Sequence, residues 1–452
     1  MSADNIIDPL HPFDYLNDFI GLARSGAAWL EENRKNDGDG PYWDYEPDAS
    51  VFTGHAVFNG DSGIALAFLQ LWQETKDQHY LDLAVEQAES LARLWEQHRL
   101  TDLLQKGLGG LEKLPGSEWS YYLGVVGPAY VILEVGRAVQ RQQLIDAGIS
   151  ILDDAVQHGR HHDGVYWSGF PGILLDGGIL VVLAWAYDVF GKQEYAASLE
   201  DGAKFILSKA IKHDVGLSWR GFILDEKHAD AEWPGFEFGT AGVGYALARV
   251  YQVTGNQEFL DAALEGARYL QSIAVPVGDG SLIPYTTLSP DIFYLGNCHG
   301  PSGTSRLAQE LFNVTKDEQY AQWRSSLYRG LVATGAPQQH SAGYWHTSTL
   351  CCGTAAIVHF GVGLWAATGE EQYREFALQA ARQLAGEAFL EGKHAVWPDA
   401  FTRVEPTQVS SRTPYFVGIA GVIAVLVEAE RLKRREAPTL RLPEDPYPPF
   451  WK

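Results

Sequence analysis

Gly239-Thr240-Ala241-Gly242-Val243-Gly244-Tyr245-Ala246-Leu247 opens with a G-x-x-G motif and runs directly into an apolar helix. The motif returns at Gly60–Gly63, Gly124–Gly127, Gly300–Gly303 and Gly418–Gly421. A fragment lies at Gly353–Ala356, with alanine as the second small residue, and another near Gly177–Gly178, where Gly169–Gly172 competes for the role. That makes seven copies. Small residues at a helix start let neighbouring backbones approach closely. Each apolar helix then ends in a polar turn, as in Glu74-Thr75-Lys76-Asp77, Val253-Thr254-Gly255-Asn256, Val314-Thr315-Lys316-Asp317 and Ala367-Thr368-Gly369-Glu370. An aromatic follows (Tyr80, Phe259, Tyr320, Tyr373), and then a second helix with apolar residues recurring at three and four, such as Leu81–Glu96, Leu260–Ser272, Ala321–Val332 and Arg374–Ala388.

The repeating unit is therefore helix, short turn, helix, longer loop. Asp18–Asn33 supplies the helix before the first glycine motif and is expected to dock on the last pair, Arg374–Glu430. Seven pairs give fourteen helices. An open superhelix needs polar terminal caps, but the last glycine helix, Ile419–Ala429, is apolar. The expected fold is all-α: an α/α toroid of seven helix pairs, a single domain over residues 1–452, with loop inserts near 104–120 and 278–295. Aromatics crowd the loops before the glycine motifs, among them Trp43, Trp167, Trp219, Trp233 and Trp397. Some pack; a ring of them around a cavity also suits sugars or peptide side chains.

Acidic residues outnumber basic ones 57 to 34, for a net charge of −23. This argues against nucleic acid and anionic membranes as partners. Residues Met1–Pro9 lack the pattern of a signal peptide. The Ile173–Val189 run, interrupted by Asp176 and Asp188, falls short of the roughly 20 apolar residues of a membrane span. Three cysteines in so long a chain do not make a disulfide scaffold; a reducing cytoplasm is expected.

Those three cysteines sit in Asn297-Cys298-His299-Gly300 and Cys351-Cys352-Gly353, at the same point of two repeats. Equivalent points of a closed repeat can be neighbours in space. Three converging thiols with no fourth partner are the pattern of a catalytic zinc site, which keeps one position for water or substrate. The alternative is three unrelated core cysteines. The zinc expectation names Cys298, Cys351 and Cys352.

With these motifs the chain resembles the lanthionine synthetase C-like family, the cyclases that close thioether rings in lanthipeptides. The resemblance runs through all seven repeats. It implies that Cys298 and Cys351 match the family's two zinc cysteines and that Cys352 stands where a zinc histidine usually stands. Pro414-Tyr415-Phe416-Val417-Gly418-Ile419-Ala420-Gly421 resembles the family's closing motif. Other catalytic positions differ: Phe238, Ser120 and Tyr294 replace the usual histidine, aspartate and arginine. The implied activity is zinc-dependent addition of a cysteine thiol to a dehydroalanine or dehydrobutyrine of a precursor peptide, with a separate dehydratase as a possible partner. His299, beside Cys298, is the first candidate for the proton transfer such an addition needs; Glu237 is the second. His346 and Arg412 have weaker claims, and Asn59 and Asp61 are expected to cap the first glycine helix. Two other functions fit parts of the pattern: a carbohydrate-active α/α toroid hydrolase or epimerase, using the acidic, Trp-rich loops, and a non-catalytic relative that binds peptide or protein.

Overall fold

Among the described residues there are fourteen α-helices, and their order follows the repeat. The computed structural model describes residues 13–50, 52–101, 114–221, 231–400, 402–438 and 442–447. The helices are α1 Phe19–Glu32, α2 Ser62–Thr75, α3 Gln78–Glu96, α4 Val126–Ala138, α5 Gln142–Gln157, α6 Asp176–Phe190 and α7 Gln193–Ser208. They continue as α8 Thr240–Thr254, α9 Gln257–Ser272, α10 Pro301–Thr315, α11 Glu318–Ala333, α12 Thr354–Thr368, α13 Glu371–Gly386 and α14 Ile419–Lys433. Six glycine helices pack on the amphipathic helix that follows them. The seventh, α14, packs on α1, where Ile419 and Ile423 close over Gly26. None of these helices is long and apolar enough to cross a membrane.

The described residues within Met1–Leu114, Tyr122–Leu152 and Thr347–Arg441 form one compact unit. Those within Pro115–Tyr121, Asp153–His346 and Leu442–Lys452 form a second. The insert expected near 104–120 lies outside the described residues as far as 113; its end forms a short 3-10 turn at Ser117–Trp119. The insert near 278–295 holds the strand Gly280–Leu282, which pairs with Val275–Val277.

The polar turns have one chemistry. The residue after five of the seven glycine helices is left-handed (Lys76, Gly191, Gly255, Lys316 and Gly369); after α4 and α14 the left-handed residue comes one later, at Gln140 and Arg435. In α8 the Thr254 hydroxyl bonds back to the Val250 carbonyl and accepts the Asn256 N–H; Thr75, Thr315 and Thr368 repeat the pattern. Such local side-chain bonds satisfy the open groups of a helix end.

The glycines act through space. A Cβ on Gly242, Gly303 or Gly421, each the third residue of its helix, would sit 1.8 Å from the carbonyl oxygen six residues earlier. The loop thus crosses directly over the helix start, and a methyl group there would displace it. In the third repeat Leu175 takes the N-cap position, and only Gly178 keeps the third-residue role. Gly172 instead packs against the Phe238 carbonyl.

Short two-stranded ladders fill the loops between pairs. In four repeats a tryptophan just beyond or within the ladder points its indole back at the preceding helix. Trp43, Trp167, Trp219 and Trp397 donate Nε1–H to the carbonyls of Leu30, Ala155, Ile206 and Leu384, at 2.6 to 2.9 Å. Each acceptor is the third residue from the end of α1, α5, α7 or α13, one of the carbonyls a helix terminus leaves open. All four rings are buried, so they close helix ends and do not line a binding surface.

Candidate metal centre and its surroundings

Where the first glycine is kept, the loop crossing over the helix start puts the residue two before it at the same place; in the third repeat, with Leu175 at the N-cap, Leu174 makes the corresponding bond. Backbone bonds connect these residues from loop to loop. In the first unit Cys351 N–H donates to the Phe416 carbonyl at 2.7 Å, Phe416 N–H to Phe58 at 3.3 Å, and Phe58 N–H to Tyr122 at 3.1 Å. In the second, Leu174 N–H donates to Glu237 at 2.9 Å and Glu237 N–H to Cys298 at 3.1 Å. Cys298, Cys351 and Glu237 therefore share one structural register. In the first unit the neighbours of Cys351 in that register are aromatic: the Phe58 and Phe416 rings stack at 5.3 Å, and Tyr122 tilts against Phe416 at 4.7 Å.

Cys298 and Cys351 are buried, Cys352 is half-buried, and none of the three is in a disulfide. The Cys351 and Cys352 sulfurs are 3.4 Å apart. All three sulfurs lie within 4.8 Å of one another. With zinc–thiolate bonds of about 2.3 Å, tetrahedral ligands sit roughly 3.8 Å apart. Soft thiolates are the donor type zinc prefers, and the residues present fit that ion.

His299 is buried among four aromatic rings of the second unit. It stacks on Phe238 at 4.9 Å and 13°, and meets Tyr285 at 4.7 Å, Trp233 at 5.4 Å and Tyr294 at 5.5 Å. Its Nδ1 is buried without a hydrogen-bond partner. Loss of water pushes its pKa down to about 3, so the ring is neutral at neutral pH. Glu237 is fully buried, with its backbone tied to Cys298.

The weaker candidates have other duties. His346 stacks on His340 at 3.9 Å; burial, together with that neighbour, lowers its pKa to about 4. Arg412 is buried, paired with Asp399 and bonded to the Val417 carbonyl at 3.1 Å. The expected capping role of Asp61 is not observed: its carboxylate makes no bond to the start of α2. It binds His55 Nδ1 at 2.8 Å, because the backbone at Asp61 is already helical and turns the side chain away from the helix end. Asn59 Oδ1 is buried without a partner, so Asn59 makes no cap through that atom.

A family model for lanthionine synthetase C-like proteins matches residues 52–442. The chain belongs to that family. The solved structure of nisin cyclase matches with a TM-score of 0.60 at 15% identity, covering 93% of each chain. The Lin0763 protein from Listeria innocua matches with a TM-score of 0.50 at 13% identity, covering 93% of this chain and 99% of that one. At such identities the likeness shows the fold, an α/α toroid. No curated protein matches the chain.

Within this lanthionine synthetase C-like chain, the replaced positions have structural roles of their own. Phe238 is the platform under His299. Tyr294 stacks on Tyr285 at 4.2 Å, and Ser120 is buried with its N–H on the Ser117 carbonyl. Sequence reading missed the aromatic enclosure of His299, because Trp233, Phe238, Tyr285 and Tyr294 come from separate loops. It also missed Glu387, whose carboxylate accepts the Thr354 hydroxyl at 2.9 Å, two residues beyond Cys352. Burial raises the pKa of Glu387 to about 7.

Proposed function

We propose that the chain is a zinc-dependent thioether-forming enzyme of the cyclase type, acting as one functional domain in the cytoplasm. It adds a cysteine thiol to a dehydroalanine or dehydrobutyrine of a modified precursor peptide, supplied by a separate dehydratase. The observation that carries this reading is the clustering of three cysteine sulfurs in a chain of this family. Cys298, Cys351 and Cys352 would hold the ion, and zinc bound there supplies the Lewis acidity that lowers a substrate thiol's pKa.

The addition forms a bond from sulfur to the β-carbon, moves the alkene electron pair toward the carbonyl oxygen and places a proton on the α-carbon. His299 acts as a neutral imidazole: it is too weakly basic to be charged, so it serves by donating an N–H to the developing oxyanion. Phe238 and Tyr285 fix the ring and exclude water. Glu237, buried and tied through its backbone to Cys298, is assigned delivery of the proton to the α-carbon, and the proton given up by the substrate thiol replaces it.

Elemental analysis of protein purified without added metal, paired with single-turnover cyclisation of a dehydrated, cysteine-containing peptide, tests the reading. One zinc per chain and a cyclised product are expected. Sub-stoichiometric zinc that stays low after reconstitution overturns the metal assignment. Full zinc with no thioether product on such peptides overturns the activity and leaves a peptide-binding relative.

A further inference from the structure

A cavity of about 400 Å³ lies in the first unit, between the hairpin Arg34–Trp43, the loop carrying Phe52 and His55, and the side of α3 at Ser90 and Leu94. None of its lining residues belongs to the cysteine loops. His55 is buried, and its Nδ1 is held by Asp61 Oδ1 at 2.8 Å. His55 lines the cavity, and a carboxylate on Nδ1 favours the proton there, which leaves Nε2 as the acceptor of the neutral ring.

The charges around the space do not cancel. Lys35 is paired with Asp44. Arg99 grips Asp39 through both guanidinium nitrogens. Asp37 has no ion-pair partner among the described residues; its carboxylate accepts only the Asp39 N–H, at 2.8 Å. Behind His55, the second carboxylate oxygen of Asp61 is buried without a hydrogen bond. Burial opposes a charged His55, yet Asp61, with Asp37 and Asp39 beyond it, raises that ring's proton affinity. The same field favours an external cation. Tyr42 and Phe52, edge to face at 5.4 Å, supply aromatic walls, against which cations pack well.

We propose that this cavity is a second binding site, for the ammonium or guanidinium group of a basic peptide side chain. Asp37 is the counter-charge, His55 Nε2 the hydrogen-bond acceptor, and the Tyr42–Phe52 pair the wall along the side chain's stem. The net charge of −23 draws such a ligand in. The site does not depend on the thioether reading, and its probes carry no thiol.

Calorimetric titration of the full chain with N-acetyl-arginine methylamide, N-acetyl-lysine methylamide and the neutral isostere N-acetyl-citrulline methylamide tests it. Saturable binding of one or both cationic probes is expected, with the citrulline probe about tenfold weaker or worse. Asp37→Asn, at an exposed hairpin position, should weaken the cationic probes about tenfold. Asp48→Asn, an exposed carboxylate outside the cavity, should leave them unchanged. Tyr42→Leu should weaken them several-fold. Equal binding of arginine and citrulline probes, equal effects of Asp37→Asn and Asp48→Asn, or no saturable binding each overturns the site.

Discussion

Glu387→Gln should make the protein more stable at alkaline pH and leave it nearly unchanged at acid pH. Glu387 follows the last residue of α13, and its Oε1 accepts the Thr354 hydroxyl at 2.9 Å and the Gln383 amide at 3.4 Å. Oε2 is buried without a partner. Burial is the dominant influence: it raises the pKa from 4.5 to about 7, against the hydrogen bonds from Thr354, Ser348 and Gln383, which lower it. The folded chain therefore binds this proton more tightly than the unfolded chain. A pKa raised on folding contributes stability that is full below the unfolded value and is lost as pH rises through the folded value. The window runs from about pH 4.5 to about pH 7. A shift of about 2.5 units is worth about 3.4 kcal/mol in total, and glutamine imitates the neutral acid at every pH. Other titrating groups are common to both proteins and cancel in the difference. Urea unfolding of both, followed by tryptophan fluorescence at intervals from about pH 5 to about pH 8.5, reads this difference. The variant should gain about 2–3 kcal/mol over wild type across that range. A difference that stays flat with pH, or a variant weaker than wild type at the alkaline end, refutes the argument.

Gly303→Ala would put a methyl group 1.8 Å from the Asn297 carbonyl and 2.7 Å from Phe236 Cβ; a loss of about 3 kcal/mol is expected, along with reduced zinc retention, since Asn297 adjoins Cys298. Ala356→Gly, at the corresponding position of the sixth repeat, should cost only about 1 kcal/mol, and thermal unfolding of the two variants side by side makes the comparison. Trp397→Phe removes the donor to the Leu384 carbonyl and should cost about 1–3 kcal/mol, read by urea unfolding. His299→Phe should slow single-turnover cyclisation by roughly 10²–10³-fold, the usual cost of losing one oxyanion donor; unchanged turnover at full zinc content excludes that role.

The repeat was legible because its signals are chemical and local. Glycine is required wherever the loop carbonyl crosses the helix start, and the threonine turns close each glycine helix through neighbouring atoms. The docking of the first helix on the last pair followed from the apolar surface of Ile419–Ala429. The third repeat blurred because Leu175 has taken the N-cap glycine's place. The ladders were not foreseen: strands of two to four residues, such as Arg160–His161 and Arg34–Asp37, are too short for alternation to register. The tryptophans drew a binding expectation because their acceptors, backbone carbonyls 12 or 13 residues earlier, leave no trace in side-chain identity. At the site, the shared repeat phase of Cys298 and Cys351 brought the thiols together on paper. The neutrality of His299 comes from four rings on separate loops, and no single segment announces it.

The first unit is discontinuous in the chain, and this sets a schedule for its birth. Helices α1 to α4 leave the ribosome early, but α12, α13 and α14, which complete their unit, follow only after Asp153–His346 has been made. At about 5–20 residues per second, that stretch of roughly 200 residues occupies about 10–40 s. Throughout that interval Gly26 waits for Ile419 and Ile423, and Gln70 for the Tyr415 hydroxyl. The nascent chain therefore carries the Gly26 face of α1 uncovered for most of its own synthesis, an apolar surface open to premature association until α14 emerges.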